Sequence, residues 1–558
     1  MTLKPKSWVL LLLILLGSIS PSDAASIPVD PKVLHIINRL SFGPRPGDVQ
    51  RVESLGVERY IQEQLSPESI PEPQSLTSQL KQLNTLYLNP VELSEYGTTN
   101  LPGQKPTPSE RKAANKWAKQ VLDEAVQGRL LEATSSPRQL QEVMVDFWYN
   151  HFNVDAAKGR DRLWVGAYEQ QAIRPYALGR FRDLLGATAH HPAMQYYLDN
   201  FQNRADNRPD AQGNIRGLNE NYARELMELH TLGVDGGYTQ QDVIALARIL
   251  SGWGFIRPGQ QEEKGQGVGS KGEDRDGAWT LPRISILEGR GLFSLLPAPF
   301  PPASSGQQTD NTFGFYFNPK RHDFSDKVFL GHTIKSGGES QGEEALDILA
   351  HSPATARHIS YQIAQYFVSD LPPTTLVNNL THRYLATDGN IREVLNTLFH
   401  SREFWDAKNF NAKFKTPYQY AISAVRATGV EVENTKPISN LLQQLAMPLY
   451  GCQTPDGYKN TADVWLNPDA MNRRLSFAAA IANGNLPLST IPANIEQREQ
   501  IGTGQRPLQK SPSIPVDAWQ LTNTLGNSLS IKTQKAIASS SPQIHSALIL
   551  GSPEFMHR

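Results

Sequence analysis

Most of this chain follows the hydrophobic periodicity of α-helices. Apolar residues recur every three to four positions, and helix-start pairs such as Asp30-Pro31 and Ser352-Pro353 precede such stretches. The pattern predicts helices at about 30–40, 109–131, 140–152, 166–200, 219–232, 240–253, 342–350, 353–369, 389–400 and 414–428. The predicted fold class is therefore mainly α, a multi-helix globular protein with long surface loops.

Residues 256–312 interrupt this pattern, because Gly, Pro, Glu, Lys and Ser dominate them. A loop of this length is uncommon in a compact domain, and we interpret it as an insertion that covers or borders a site. Phe313, Phe315 and Phe317 alternate directly after it, with the period of a β-strand. The sequence thus predicts a short β hairpin near 312–330.

The first residues have the pattern of a secretory signal peptide. Lys4 and Lys6 precede an apolar run from Trp8 to Leu16, and the small residues Ser22 and Ala24 follow. The run is too short to cross a bilayer about 30 Å thick. We expect cleavage after Ala24, no stable membrane insertion, and a single mainly helical domain over 25–558 in the periplasm or outside the cell.

Charge and cysteine content exclude several classes of partner and bond. The chain has 54 Lys and Arg against 55 Asp and Glu, a net charge of −1, so it lacks the basic surplus typical of nucleic-acid binding. A single cysteine, Cys452, rules out an intrachain disulfide. There is no Gly-x-Ser-x-Gly, Walker or His-Glu-x-x-His motif, which disfavours several familiar enzyme classes.

Residues 219–237 are the part of the chain richest in candidate chemistry. At about 100° per residue, one polar stripe of the predicted helix carries Asn221, Arg224, Glu225 and Glu228. The opposite side carries Tyr222, Leu226, Leu229 and His230. The stripe is either solvated, with Arg224 paired to Glu228, or a site, since amides beside carboxylates suit a hard cation or a polar substrate.

The segment 142–152 repeats this arrangement. Glu142, Asp146 and Asn150 align on one helix face, while Met144, Phe147 and His151 share the apolar face. His151 and His230 are therefore predicted to be buried. Each could bond to a backbone carbonyl, or both could bind one cation with a carboxylate if their helices pack together.

The candidate site residues fall into three groups. The predicted catalytic residues are Asp199, Arg224, Glu225 and Glu228. The predicted substrate-binding residues are Asn150, Asn200, Asn219 and Asn221. The predicted ligands of a divalent metal ion are His151, His230, Asp146, His322 and Asp323.

Two classes of function fit these residues. One is an extracytoplasmic enzyme that acts on a polar polymer or its fragments, with carboxylates as metal ligands and as general acid or base. The other is a non-catalytic helical scaffold that binds a cell-surface polymer or a secreted partner, its polar clusters being buried networks. A cavity and perturbed pKa values around Glu225 would favour the enzyme.

Several motifs together resemble a known bacterial family, the domain of unknown function 1800. They are Asn38 to Pro44, Phe147 to Phe152, His191 to Met194, Tyr197 to Asn200, Asn219 to Trp253, His322-Asp323 and Gly551 to Phe555. The resemblance covers nearly the whole mature chain and implies an exported protein of a kind often encoded beside a secreted sulfatase-like protein, which is therefore a possible partner. The 256–312 insertion departs from the family pattern, which leaves the substrate open.

Overall fold

The structure is a computed structural model that describes residues 29–96, 106–205, 217–256, 314–489, 515–526 and 528–558. The signal peptide predicted at 1–24 lies outside the described residues. So does the predicted insertion, apart from Ile256.

The mainly α fold class is confirmed, because helices make up most of the described chain. In chain order they are α1 (Pro31–Leu40), α2 (Asp48–Leu55), α3 (Val57–Leu65), α4 (Gln74–Leu80), α5 (Pro90–Tyr96), α6 (Pro108–Ser135), α7 (Gln139–His151), α8 (Asp161–Tyr168), α9 (Phe181–His190), α10 (Pro192–Tyr197), α11 (Asn221–Glu228), α12 (Gln240–Ile249), α13 (Ser340–His351), α14 (Pro353–Phe367), α15 (Thr374–Ala386), α16 (Ile391–Phe399), α17 (Pro417–Thr428), α18 (Lys436–Gln444), α19 (Ala462–Trp465), α20 (Pro468–Ala482), α21 (Ala518–Thr524), α22 (Ile531–Ala538), α23 (His545–Leu550) and α24 (Pro553–Met556).

Local start signals explain several helix boundaries. Asp30 accepts a hydrogen bond from the Lys32 amide at the start of α1. Thr239 and Asp242 form a capping box at the start of α12, each side chain accepting from the other's backbone amide. These caps satisfy amides that have no partner within the helix, so the predicted starts of both helices are confirmed.

Two helices lie at the centre of the core. Eleven of the 13 residues of α7 are buried, as are 11 of the 12 residues of α17. A helix that is buried on all sides needs partners for its polar groups as well as its apolar ones. The polar residues of α7 consequently carry much of the chemistry described below.

The strands form two small antiparallel pairs. Strand β1 (Trp253–Phe255) pairs with β2 (Phe315–Phe317), and β3 (Lys327–Phe329) pairs with β4 (His332–Ile334). The alternating phenylalanines thus identify a strand correctly, but its partner precedes the insertion instead of following it. Phe255 lies opposite Phe315, which places the two flanks of residues 257–313 side by side.

Segments far apart in the sequence are joined by buried hydrogen bonds. His35 Nε2 lies 3.0 Å from the carbonyl oxygen of Phe404, 369 residues later. Arg426 Nε donates to the carbonyl oxygen of Gly43 at 2.9 Å, across 383 residues. The first helix therefore packs against the second half of the chain.

Within the described residues, no helix combines the length and the apolar character that crossing a bilayer requires.

Candidate functional site

The polar stripe of α11 faces away from the core, as its sequence predicts. Tyr222 and Leu226 are buried, while Glu225 and Glu228 are partly exposed. Arg224 does not pair with Glu228; its guanidinium donates to Glu220 Oε2 at 3.1 Å and to the Gln240 side chain at 3.0 Å. Neither carboxylate of the stripe therefore forms an ion pair with an arginine of the described chain.

Three of the predicted substrate-binding amides join the start of α11 to the segment 198–203. Asn219 Nδ2 donates to the Asp199 carbonyl at 3.1 Å, and Asn221 Nδ2 donates to the Leu198 carbonyl at 3.2 Å. Asn200 is buried and donates to the Gln195 side chain at 2.8 Å. These amides shape the backbone beside the site, and their donors are engaged within the protein.

Asn150, the fourth predicted substrate-binding residue, fixes a distant loop. Its Nδ2 donates to the Tyr458 carbonyl at 2.8 Å, and its Oδ1 accepts from the Tyr458 amide at 2.7 Å. Asn153 donates to the carbonyl oxygens of Cys452 and Thr454, both at 2.9 Å. The end of α7 thus docks the segment 450–459 next to α11.

Gly457 lets this docked loop approach α7 closely. It has φ of +69°, and a Cβ at this position would lie 2.1 Å from the Asn150 carbonyl oxygen. Gly457→Ala should lower the free energy of unfolding by more than the roughly 1–2 kcal/mol of the backbone conformation alone, because the loop must also move. Gly237→Ala is the matched control for thermal unfolding, since Gly237 has φ of +81° and nothing within 4 Å of its Cβ position. Equal losses in the two variants would contradict a role for the close contact.

Glu225 is the carboxyl group of the site with the fewest partners. Within the described residues its carboxylate forms no hydrogen bond and no ion pair. Burial, together with the neighbouring carboxylates of Glu228 and Asp456, raises the pKa of Glu225, and Arg224 opposes this only in part. We call Glu225, Glu228 and Asp456 the acidic cluster.

Asp456, on the docked loop, has the opposite tendency. Burial acts to raise its pKa, but hydrogen bonds from Lys459 and Thr454 outweigh burial, so the pKa of Asp456 is lowered. Lys459 Nζ lies 2.7 Å from Asp456 Oδ2. Sequence reasoning missed this residue, because Thr454-Pro455-Asp456-Gly457 has the composition of an ordinary turn.

Asp199 lies at the other end of the stripe and is paired with a lysine. Lys158 Nζ lies 2.9 Å from Asp199 Oδ2 and also donates to the Tyr197 carbonyl. Behind this pair lies Asp161, which is fully buried and, among the described residues, has no hydrogen-bond partner at either carboxylate oxygen. Burial raises the pKa of Asp161 well above its ordinary value. In the sequence it looks like a common acidic residue of a first helical turn.

The two histidines on apolar faces are buried and lie together, as predicted. Their ring centroids are 5.7 Å apart. His151 Nε2 lies 3.1 Å from the His230 carbonyl oxygen, and His230 Nδ1 lies 2.9 Å from the His151 carbonyl oxygen. Because a carbonyl oxygen only accepts, the facing ring nitrogen of each histidine carries the proton. Each ring therefore fastens the other's backbone.

The remaining predicted metal ligands lie in other networks. Asp146 pairs with Arg129 at 2.8 Å. His322 bonds to the Ser251 carbonyl at 2.7 Å and to the Gln341 side chain at 3.0 Å, and Asp323 accepts from Ser325 and lies 3.7 Å from Lys327 Nζ. Across the described ranges, no three His, Cys, Asp or Glu residues form a group suited to a metal ion. The five residues thus do not fit one shared ion, because His151 Nε2, His230 Nδ1 and Asp146 already have protein partners.

A third histidine, His358 on α14, completes the histidine group. Its ring centroid is 6.3 Å from that of His151, and its Nε2 lies 3.3 Å from the Leu229 carbonyl oxygen. Burial and the two neighbouring histidines lower the pKa of His151 well below its ordinary value, and burial lowers the pKa of His230 to about 4. All of this favours neutral rings that hold α7, α14 and the exit of α11 together.

The comparison with protein families decides the affiliation of the chain. The model of a protein family of unknown function, DUF1800, matches residues 35–557. The chain belongs to the DUF1800 family. Searches of curated proteins and of solved structures found no match. The match spans α11, the docked loop and the histidine pair of this DUF1800 protein, but the family's description assigns no activity to them.

Proposed function

We propose that this protein is an extracytoplasmic enzyme that cleaves a bond in a polar polymer or its fragments by general acid–base catalysis at the acidic cluster. The observation that carries the proposal is the partly buried Glu225 carboxyl group, which has no hydrogen-bond partner in the described chain and lies beside Asp456 of the docked loop, with the pKa raised for Glu225 and lowered for Asp456. Neighbouring carboxyl groups with opposed shifts supply a proton donor and an anion in one site. Glycoside hydrolysis is the reaction class that uses such a pair most directly.

In this proposal each residue has a separate role. Glu225, without a hydrogen-bond partner in the described chain, gives a proton to the leaving group. Asp456, kept ionised by Lys459, stabilises positive charge or activates water. Glu228, whose Oε2 lies 3.4 Å from the Tyr238 hydroxyl, helps to keep the proton on Glu225.

Location and partner are part of the same proposal. The signal-peptide pattern of residues 1–24 supports export, and the family resemblance suggests a secreted sulfatase-like protein as a partner. The predicted metal ligands do not meet at one point in the described chain, so none of these residue roles depends on a metal ion.

The test compares Glu225→Gln and Asp456→Asn with Glu53→Gln, which changes an exposed glutamate on α2. The assay measures soluble fragments and reducing ends released from purified bacterial sacculi and from neutral and acidic polysaccharides. Loss of the general acid should slow release by about 10²–10⁴-fold, with the unfolding temperature unchanged. If Glu225→Gln releases fragments as fast as Glu53→Gln does, Glu225 is not the acid.

A second candidate function is the non-catalytic scaffold. It is favoured by the engaged side-chain amides of Asn150, Asn200, Asn219 and Asn221, which act as a structural network. Binding to sacculi without any released fragment, unchanged by Glu225→Gln, would support it.

A further inference from the structure

A second group of ionisable residues lies apart from the acidic cluster and carries the opposite charge. We call it the basic cluster, and it consists of Arg39, Lys413, Lys415, Arg474 and Arg558. All five side chains are buried. Within the described residues the cluster has one ion pair, between Lys413 and Asp370.

Backbone pairing near the end of the described chain brings this cluster together. Phe414 and His557 form an antiparallel bridge, and the Arg558 amide donates to the Lys413 carbonyl at 2.8 Å. The Lys415 amide donates to the Met556 carbonyl at 2.9 Å. Lys413, Lys415 and Arg558 therefore occupy adjacent positions.

Arg39 and Arg558 meet at the C-terminal end of α14. Arg39 donates to the carbonyl oxygens of Asn409 at 2.5 Å and Val368 at 3.4 Å. Arg558 donates to the Tyr366 carbonyl at 2.9 Å, two residues before Val368. The negative end of the helix dipole stabilises both cations here, but it does not neutralise two full charges.

Both guanidinium groups keep buried donors that have no partner within the described ranges. There, the Nε and Nη1 atoms of Arg39 and of Arg558 make no hydrogen bond, and neither does Nε of Arg474. Three of the five cationic side chains lie over aromatic rings. Arg558 Cζ is 4.5 Å from the centroid of the Tyr366 ring, Lys415 Nζ is 4.1 Å from that of Phe555, and Arg474 Cζ is 4.7 Å from that of Phe414. Ring faces attract cations but accept no strong hydrogen bond, so the guanidinium donors still lack acceptors.

We propose that Arg39 and Arg558 bind a small tetrahedral oxyanion, phosphate or sulfate, each through one of its unpartnered N–H groups. Paired guanidinium donors match the oxygen atoms of such an ion. The burial of both arginines limits the ligand to a free inorganic ion, because a polymer could not reach them. Lys413 and Lys415 add positive charge around the ion.

The arginines of the cluster also lower the pKa of their basic neighbours, as expected where an anion is needed to balance their charges. Burial and the nearby guanidinium of Arg558 lower the pKa of Arg39. Burial, with Arg558 and Arg474 as neighbours, lowers the pKa of Lys415 to about 7. A bound dianion would offset these repulsions.

The experiment uses the full mature chain and inorganic phosphate, sulfate and chloride. Ion chromatography of denatured protein, purified in chloride, measures any oxyanion that remained bound. Thermal unfolding is then followed across phosphate and sulfate concentrations at constant ionic strength. A saturable rise of about 3 °C or more over chloride is expected.

Arg39→Met and Arg357→Met are the matched variants. Arg357 is an exposed residue of α14 that donates to Asn378, and its variant should keep the saturable rise, whereas Arg39→Met should lose it. Sulfate and phosphate also stabilise proteins by exclusion from the surface, but that effect does not saturate and is shared by all variants. An equal, unsaturable response in wild type and Arg357→Met, with no retained oxyanion, would overturn the proposal. If Arg39→Met does not fold, the wild-type saturation curve and the retained ion decide between the same two outcomes.

Discussion

Lowering the pH from 7 to 5 should destabilise this protein by about 3 kcal/mol, because four histidines are buried in their neutral form. They are His35, His151, His191 and His230. Burial lowers the pKa of His35 and of His191 to about 3, with Arg39 adding to the effect at His35, and lowers the pKa of His230 to about 4. The unfolded chain takes up these protons near pH 6.5 while the folded chain does not, so stability is present above pH 6.5 and is lost as the pH falls.

Buried carboxyl groups act in the opposite direction. Burial raises the pKa of Glu132 to about 8 and that of Asp161 well above its ordinary value. The folded chain keeps the Glu132 proton at pH 5–7, whereas the unfolded chain has released it, so Glu132 favours folding as the pH falls, and the raised pKa of Asp161 acts in the same direction. From pH 7 to 5 the three histidines whose pKa is lowered to about 3 or 4 cost about 6 kcal/mol together and Glu132 offsets about 3, which leaves a net loss of about 3 kcal/mol.

Urea unfolding at pH 7, 6 and 5 measures this dependence. His35→Gln should reduce the slope by about one proton, whereas His332→Gln, at an exposed position on β4, should leave it unchanged. A midpoint that stays constant from pH 7 to 5 would show that the histidines are not buried as neutral rings.

Arg129→Met should lower the free energy of unfolding by about 3–5 kcal/mol. The Arg129 guanidinium is buried and forms ion pairs with Glu169 at 2.9 Å and with Asp146 at 2.8 Å. It also lies 5.1 Å from the ring of Tyr149. Methionine fills similar space but leaves Asp146 without its cation and Glu169 with only the longer pair to Arg174 at 3.5 Å, and the loss comes chiefly from those two groups.

Arg51→Met is the matched control. Arg51 also pairs with a glutamate, Glu63, but the pair is largely exposed, and removing it should cost at most about 1 kcal/mol. A loss for Arg129→Met as small as that of Arg51→Met in urea unfolding would mean that Asp146 and Glu169 take up protons in the variant. Arg174, which pairs with Glu132 at 2.7 Å and with Glu142 at 2.5 Å, belongs to the same network and should behave like Arg129.

The periodicity of the chain was sufficient to predict the buried face of α11, but not the burial of α7 on all sides, where Glu142 and Asp146 are buried as well. The exposed stripe of α11 and the burial of His151 and His230 follow from the 100° spacing of side chains, and the proximity of the two rings follows from packing the two apolar faces. The same reasoning could not reveal that each ring would bond to the other's backbone. That choice depends on where the chain leaves each helix, which periodicity does not specify.

The acidic cluster was only half predictable for a related reason. Glu225 and Glu228 belong to one helix, but Asp456 reaches them through a loop docked by Asn150 and Asn153, about 300 residues away in sequence. Asp146 was read as a metal ligand because its cation, Arg129, lies on a different helix. Partners on separate elements are set by tertiary packing, and a single sequence without an alignment carries little trace of them.

The buried bonds from His35 to Phe404 and from Arg426 to Gly43 bear on how the chain can be assembled. Contacts across 369 and 383 residues cannot form until both partner segments have been synthesised. Loops of this size also close slowly. While the chain emerges from its N-terminus, α1 lacks its partners from the second half of the chain, and α7 lacks the loop that completes the acidic cluster. The native state therefore forms late and cooperatively. Fragments that stop before residue 459 should remain incompletely folded and bound by chaperones.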